Sequence, residues 1–407
     1  MEPLSGRDHE MRILGTAFGT RLAQRLLVLL SCMRAGPACM LVFLLAACAS
    51  RPEVGFLAPV PALNDGSTAH TILVATTRRR DERPGTLFNG ERSQDLDFAR
   101  IAVSVPPNHQ EGEIEWPSTP PGDPQTNFVV RQAGYLKGER AFVQALNAQL
   151  ASRPKGQRRV FLFIHGYNTM FAEGLYRFTQ VVHDAKAPAV PVLFTWASRG
   201  ELSQYVYDNN SATAARDDLE RLIRLIFAAD VDQVNILAHS MGNWVTVEAL
   251  RQIKISGRLP RNASKLGEII LAAPDIDIDV FKAQMRRFGK PKKSFLIVLS
   301  KDDKALGLSS FLAGGETRLG DDANTAELAA LGATVIDMTQ VEGLSAIDHD
   351  KFARLAAIAP QLRHVLERGT ISRQFSERAH EATANSLEAI VQLPIKIISA
   401  PLQIGGH

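Results

Sequence analysis

One serine of the chain stands in a turn that could make it a nucleophile. The segment Val231–Ala249 passes from an apolar run through the letters A-H-S-M-G at 238–242 into a pattern that a helix could carry. This order predicts strand, sharp turn and helix, with Ser240 at the tip. The turn requires small residues two places before and after its serine, where Ala238 and Gly242 stand. Alanine in place of the usual first glycine adds one methyl group without blocking the turn.

A serine hydroxyl is a weak nucleophile at neutral pH, so Ser240 needs a base and a third group that orients the base. When such a turn lies in a parallel sheet, the acid follows the serine in the chain and the histidine follows the last strand. His349 is the one histidine in the expected loop, because His364 falls in a predicted helix and His380 beyond the sheet. We therefore predict Ser240 as the nucleophile and His349 as the base.

Three aspartates follow predicted strands on the same side of the sheet as the serine. Asp302 and Asp303 come after a strand over Ser294–Ser300, and Asp275 comes after the preceding strand. Position in the chain favours Asp303 as the acid, with Asp302 and Asp275 as alternatives. Asp275 could instead fix loops near the site.

Acyl transfer also needs N–H donors for the oxygen of its tetrahedral intermediate. One donor is the residue after the nucleophile, Met241, and the other lies in the loop after the first central strand. That loop begins after the apolar run Arg159–Ile164, and Tyr167 is its predicted donor. We interpret His165 as a structural histidine that holds this loop and not as the base.

The elements around these residues indicate a parallel sheet covered by helices. Two or three antiparallel strands are predicted before Lys137, and from there strands and helices alternate, as in a parallel sheet. The strand Arg159–Ile164 is almost wholly apolar, which favours burial on both faces. Six parallel strands after the leading ones predict an α/β class protein with the mostly parallel, eight-stranded sheet of an α/β-hydrolase fold.

Two segments are expected to border the serine. The loop Ser198–Asn210 carries Tyr205, Tyr207 and Asp208, and its aromatic groups could line a pocket for the acyl or alcohol part of a substrate. Alternatively, they could pack against the insertion Gly307–Asp322, whose Gly and Leu content suggests a mobile cover.

Residues from about 71 to 366 resemble a family of bacterial α/β-hydrolases of unknown function, described loosely as esterase- or lipase-like. The resemblance is carried by A-T-T-R at 75–78, V-P-P at 105–107 with His109, F-I-H-G-Y-N at 163–168, F-T-W-A-S-R-G at 194–200, A-H-S-M-G-N at 238–243, A-A-P-D-I-D at 272–277 and the stretch Ser300 to Leu306. The family tends to have proline where Ala197 stands, a minor departure. The resemblance implies a serine hydrolase fold with Ser240, Asp303 and His349 in a triad, and it implies no substrate.

The first fifty residues predict a leader outside this fold. An apolar run ends in L-A-A-C at residues 45–48, which resembles the bacterial lipobox, where cleavage before the cysteine leaves Cys48 to carry lipid. Two or more acyl chains would anchor the protein stably. The alternatives are an accidental apolar run or an uncleaved membrane helix, although the run is shorter than the ~20 residues that a span needs. Translation from Met33 would give a signal of ordinary shape and leave residues 1–32 untranslated. We predict a signal segment over 1–47, a tether over 48–70, the hydrolase domain over 71–367 and a tail of undecided role over 368–407.

Composition excludes several classes of function. The three cysteines, Cys32, Cys39 and Cys48, all lie in the leader, so the rest of the chain forms no disulfide and no thiolate metal site. Removal of residues 1–47 takes away five arginines and three acids and leaves the chain nearly neutral, which argues against nucleic acid as a partner. The basic clusters at 78–80 and 286–293 are interpreted as solvated surface charge.

The sequence thus predicts a lipid-anchored hydrolase of the bacterial cell envelope that faces the periplasm. It would cleave carboxylic esters of small molecules or lipids through an acyl-Ser240 intermediate, with no metal ion or organic cofactor. Two alternatives stay open: acyl transfer by the same residues, and a catalytically idle interaction module on the same fold. The sequence indicates neither the acyl-chain length nor the oligomeric state.

Overall fold

The computed structural model describes residues 51, 54–61, 65–186, 188–257, 264–289, 295–312, 318–320, 327–328, 331–339, 351–354 and 396–399. Every helix and strand among them lies in the compact unit Pro52–His407. The predicted lipidation residue Cys48 and the predicted base His349 lie outside the described residues. Within the described residues, no helix has both the length and the apolar character that crossing a membrane requires.

In the part of the chain that the structure describes, ten strands form one sheet. They are β1 (Thr68–Asp81), β2 (Leu87–Val105), β3 (Val129–Leu136), β4 (Arg159–Ile164), β5 (Val190–Thr195), β6 (Gln233–His239), β7 (Leu266–Ala272), β8 (Phe295–Leu299), β9 (Ala333–Asp337) and β10 (Lys396–Ser399). Their order is β10-β9-β8-β7-β6-β4-β5-β1-β2-β3. The pairs β1–β2, β2–β3 and β9–β10 are antiparallel, and all other neighbours are parallel.

The predicted mostly parallel sheet is therefore confirmed, with ten strands in place of eight. All six strands predicted after Lys137 form, and they run parallel because helices connect them. The third leading strand forms as well. The last strand comes from the predicted tail, where Lys396–Ser399 pairs with β9.

Among the described residues, six helices accompany the strands: α1 (Gly138–Ala151), α2 (Phe171–Ala185), α3 (Tyr205–Ala228), α4 (Met241–Ile255), α5 (Ile278–Phe288) and α6 (Lys304–Leu312). Short 3-10 turns stand at Leu202–Gln204 and Lys351–Arg354. Successive side chains of a strand point to opposite faces, so each central strand supplies two cores. In β4, Val160, Leu162 and Ile164 pack on the side of α1, α3, α4 and α5, and Phe161 and Phe163 pack on the side of α2.

Helix α3 begins before the position that the sequence predicted. The predicted loop Ser198–Asn210 was expected to hold Tyr205, Tyr207 and Asp208, and the structure places all three in the first turns of α3. The polar residues of this stretch suggest a loop. The structure instead forms a helix that buries one face, made of Tyr205, Asp208, Ala212 and Ala215. The expectation of a loop here is wrong because one helical stripe is buried despite its polar members.

The described parts of the insertion Gly307–Asp322 are bonded to the rest of the domain. Its first part belongs to α6, and at residues 319–320 the N–H groups donate to the carbonyl oxygens of Ile276 at 2.9 Å and Pro274 at 3.0 Å. Leu319 is fully buried. These bonds attach residues 319–320 to the loop after β7, and the mobile cover stays a prediction.

Candidate active site

Ser240 occupies the turn between β6 and α4. Its φ of 54° and ψ of −127° lie in a region that non-glycine residues rarely adopt, and the side chain is buried. Backbone bonds hold it there: the Ser240 N–H donates to Ala272 O at 3.0 Å, and Ser240 O accepts from the Asn243 N–H at 3.0 Å and the Asn243 side-chain amide at 2.8 Å. A strained residue that its surroundings hold in place is a common feature of functional sites.

Two glycines let the end of β4 approach this turn. A Cβ atom at Gly166 would lie 2.6 Å from the Ser240 Cβ. A Cβ atom at Gly242 would collide with the carbonyl oxygen of His165 and would lie 2.9 Å from that of Ile164. Real Cβ atoms do not come this close to backbone. The loop after β4 therefore runs directly against the serine because both positions lack a side chain.

The two predicted oxyanion donors lie on either side of this contact. Met241 is the first residue of α4, where helix N–H groups have no acceptor within the helix. Tyr167 lies in the loop after β4, the strand next to β6 in the sheet. Its hydroxyl donates to Leu202 O, and its ring packs edge-on against Tyr205 with centroids 5.1 Å apart. The structure thus brings Ser240, Met241 and Tyr167 to neighbouring strand ends.

His165 has the structural role that the sequence indicated. Its Nδ1 contacts Gly166 O at 2.8 Å and therefore carries the proton, while Nε2 accepts from the Trp196 N–H at 3.1 Å. The ring is buried and stacks on Trp196. Burial, together with the charge of Arg78, lowers the pKa of His165 to about 3. A ring held neutral with its free nitrogen already bonded cannot serve as the base for Ser240.

The three candidate acids differ sharply in their partners. Asp303 is buried, and its Oδ1 accepts the N–H groups of Ala305 at 3.0 Å and Leu306 at 3.2 Å, which caps α6. Asp302 has a more exposed side chain, and both of its oxygens lie 2.7 Å from Lys351 Nζ. Although partial burial raises the pKa of Asp302, the bonds from Lys351 and Ser300 lower it below the usual value.

Asp275 is buried among side chains. Its Oδ1 accepts from Ser309 Oγ at 2.6 Å and lies 3.3 Å from Arg318 Nε, and its Oδ2 lies 3.4 Å from the Tyr205 hydroxyl. These contacts join the loop after β7 to α3 and α6. They support the alternative role that the sequence left open for Asp275, that of fixing loops near the site.

The residues that follow His349 are tied to the same edge of the sheet. The ring of Phe352 stacks on His239, the neighbour of Ser240, with centroids 4.2 Å apart. Lys351 is buried and reaches Asp302 after β8. His349 itself lies outside the described residues. Among the described residues, no group of three or more His, Cys, Asp or Glu side chains could hold a metal ion.

Two buried charges near the serine were not predicted as site residues. The sequence indicated Arg78 as part of a solvated cluster, and the structure corrects this: Arg78 is 1% exposed and only its neighbours Arg79 and Arg80 are at the surface. Asp208 is 0% exposed. In the sequence, the apolar run before Arg78 does not show which of the three arginines is enclosed. The helical spacing of Asp208 from Tyr205 does not show where the helix begins.

Comparison with known proteins agrees with this fold. The family model described as "Alpha/beta hydrolase of unknown function (DUF900)" matches residues 139–366, more than half of the chain. No protein with a curated description matches. Among solved structures, Aspergillus fumigatus lipase B is similar at 14% identity and a TM-score of 0.26, over 41% of this chain and 43% of that one. A predicted CIB-like hydrolase from Thermoplasma acidophilum is similar at 16% identity and a TM-score of 0.27, over 52% of this chain and 89% of that one. Likeness at this level carries no information on substrate, whereas the family match is decisive: the chain belongs to this family of α/β-hydrolases of unknown function.

Proposed function

We propose that the protein is a serine hydrolase that cleaves carboxylic esters through an acyl-Ser240 intermediate. The observation that carries the proposal is the backbone of Ser240, held at φ 54° between β6 and α4 with the loop after β4 packed against it. A strand–turn–helix of this kind exposes the serine oxygen at the strand ends beside backbone N–H donors. Membership of the hydrolase family supports the same reaction class.

In the proposed reaction His349 takes the hydroxyl proton as Ser240 Oγ attacks the carbonyl carbon of the ester. The oxygen of the tetrahedral intermediate is stabilised by the N–H groups of Met241 and Tyr167. The C–O bond of the ester then breaks, and His349 gives the proton to the departing alcohol. Water repeats the cycle on the acyl-enzyme, releasing the acid and restoring the Ser240 hydroxyl.

Asp303 is the acid that we propose for orienting His349. Asp302 is engaged through both oxygens by Lys351, and Asp275 contacts Arg318 and Ser309. The Oδ1 of Asp303 accepts the backbone N–H groups of Ala305 and Leu306, which fix the carboxylate at the start of α6. This fixed carboxylate and its position after β8 support Asp303 over the two alternatives.

Labelling with a fluorophosphonate probe tests the proposal. We expect the wild-type protein to be labelled, Ser240→Ala and His349→Ala to be unlabelled, and Ser256→Ala to be labelled like wild type. Ser256 is a matched control because it is exposed at the far end of α4. A folded wild type that takes no label would refute the proposal. A series of nitrophenyl esters would then bound the acyl pocket, and product analysis with added alcohol would separate hydrolysis from acyl transfer.

We also propose that the protein is attached to the bacterial envelope through lipid on Cys48, facing the periplasm. The support is the L-A-A-C ending of the apolar run at residues 45–48. Substitution Cys48→Ser should release the protein from the membrane fraction, and Cys39→Ser should not. Unchanged membrane attachment of Cys48→Ser would instead indicate a retained helix.

A further inference from the structure

Arg78 is a fully buried cation whose direct partners are all uncharged. It stands near the end of the buried part of β1, and its five N–H groups face five acceptors. The acceptors are Thr195 Oγ1 at 2.7 Å, Ser198 O at 2.7 Å, Asn89 O at 3.2 Å, Thr169 O at 2.7 Å and His165 Nε2 at 3.4 Å. Burial of a guanidinium is unfavourable, so each of these contacts matters for keeping it there. The contacts join the loops after β4 and β5 to the start of β2.

Asp208 is the matching buried anion on α3. Its Oδ2 accepts from the Asn168 N–H at 3.1 Å and from Ser198 Oγ at 2.5 Å, and its Oδ1 accepts from the Arg199 N–H at 2.9 Å. Its direct partners are again uncharged groups of the two loops. Arg78 and Asp208 also attract each other electrostatically, although neither contacts the other directly.

The two charges bind adjacent residues of the loop after β4. Asp208 accepts the N–H of Asn168, and Arg78 donates to the carbonyl oxygen of Thr169. Asn168 has a φ of 55°, a left-handed conformation that asparagine tolerates better than most residues but that still needs support. Tyr167, the proposed oxyanion donor, immediately precedes this pair.

We infer that Arg78 and Asp208 are positioning residues that fix the Asn168–Thr169 backbone and thereby hold the Tyr167 N–H where the oxyanion forms. The inference rests on the proposed function. Neither residue touches the substrate in this role. Their effect belongs to the transition state, because a displaced donor weakens the stabilisation of the tetrahedral oxygen more than it weakens substrate binding.

Arg78→Lys is the first test, since lysine keeps the charge but lacks the planar five-donor geometry that reaches three segments. We expect kcat for a nitrophenyl ester, and the rate of Ser240 labelling, to fall by about 10- to 100-fold, somewhat less than the ~10²–10³ for deletion of an oxyanion donor. KM should stay within about twofold. Arg80→Lys is the matched control, because Arg80 lies on the same strand with an exposed side chain paired to Asp97, and it should behave like wild type.

Asp208→Asn provides a second, independent variant, which keeps the shape and removes the charge. We expect the same pattern of lower kcat with little change in KM. In the double variant the combined loss should be smaller than the product of the single losses, because both residues hold one backbone segment.

A purely structural role would give a different result. Folded Arg78→Lys with wild-type kcat, or with a raised KM and unchanged kcat, would overturn the inference. If Arg78→Lys does not fold, the same criteria apply to Asp208→Asn. Absence of labelling in the wild type would refute the proposed function itself, so the two failures are distinguishable.

Discussion

The two sides of Ser240 hold their charged groups in different ways. On the side of the proposed oxyanion donors, here called the oxyanion side, Arg78 and Asp208 bind backbone and hydroxyl groups of the loops after β4 and β5. On the side of the candidate acids, here called the acid side, Asp275 after β7 and Asp302 after β8 bind the cations Arg318 and Lys351. The first arrangement fixes the direction of peptide groups, and the second ties side chains of distant segments together. The difference indicates that N–H donors need an oriented backbone, whereas the ion pairs of Asp275 and Asp302 connect segments that are distant in the chain.

Replacement of the acids should separate Asp303 from its neighbours and gives the largest expected effect. Asp303→Asn should lower kcat by about 10³- to 10⁴-fold, because an amide in this position favours the wrong tautomer of the histidine. Asp302→Asn should lower kcat by less than about tenfold, since it only weakens the contact with Lys351. Steady-state ester hydrolysis, with circular dichroism as a check of folding, measures both.

A large loss in folded Asp302→Asn with near-normal Asp303→Asn would reverse this order. It would mean that Lys351 and Asp302 act together on the proposed base. Asp275→Asn serves as the reference for a structural acid, for which we expect lower thermal stability and a smaller loss of kcat than for Asp303→Asn.

Close contact between the oxyanion side and Ser240 predicts a large effect of a single methyl group. Gly242→Ala should lower the free energy of unfolding by about 1–3 kcal/mol and abolish most labelling, because the new Cβ would collide with backbone carbonyls of β4. Gly134→Ala is the matched control, since a Cβ there meets nothing within 4 Å. Urea unfolding and probe labelling measure the two effects. A stable, active Gly242→Ala would show that the end of β4 is free to move away from the turn.

Much of the fold could be predicted from the sequence because its central strands are short apolar runs between helical patterns. The strand predicted over Arg159–Ile164 has these same bounds in the structure. The start of α3 could not be predicted, because burial of Asp208 depends on N–H groups from loops that are distant in the chain. Strand β10 was not predicted either, since its pairing with β9 is a contact between distant parts of the chain.

The site was predictable where local geometry decides the residue type. The turn at Ser240 needs small neighbours, and the sequence shows them. The burial of Arg78 was not predictable, because three consecutive arginines usually indicate solvent and only the three-dimensional arrangement of carbonyl acceptors shows which one is enclosed. Partners also distinguish the three aspartates, whereas their order in the chain leaves all of them as candidates.

His109 lies outside both sides of Ser240 and is held in the opposite charge state to His165. His109 lies between Asp184 and Glu115, with 2.8 Å from each ring nitrogen to a carboxylate oxygen. Although burial lowers its pKa, bonds to Asp184 and Glu115 raise the pKa of His109 to about 9. Beside it, burial lowers the pKa of His183, and also that of His70 to about 4. His109 is therefore the charged member of this cluster, in contrast to the neutral His165.

The raised pKa of His109 gives stability that is fully present below its unfolded value of about 6.5 and is lost as pH rises through about 9. We expect the free energy of unfolding to fall by up to about 1 kcal/mol per pH unit in this range. His109→Gln should be less stable at pH 7 and should lose this slope, whereas His70→Gln should keep it. Urea unfolding between pH 6.5 and 9 measures the slope, and an unchanged slope in His109→Gln would contradict the assignment.

The smallest expected effect concerns Tyr205, which connects the two sides of Ser240. Its ring packs on Tyr167 of the oxyanion side, and its hydroxyl lies 2.9 Å from Ser309 Oγ and 3.4 Å from Asp275 on the acid side. Tyr205→Phe keeps the ring contact and leaves the bond from Ser309 to Asp275 in place. We therefore expect a loss of about 1 kcal/mol in the free energy of unfolding and a change in kcat below about twofold.

Tyr207→Phe is the control for this variant, because its hydroxyl bonds to the β2 segment, at Gly90 O and Glu91. If Tyr205→Phe lowers kcat more than tenfold while Tyr207→Phe does not, the hydroxyl must transmit the position of the acid side to the oxyanion loop. The two sides would then form one cooperative unit. Tyr205 contacts Tyr167 through its ring and Asp275 through its hydroxyl. A small effect of removing the hydroxyl would therefore indicate that Arg78 and Asp208 position the oxyanion side without help from the acid side.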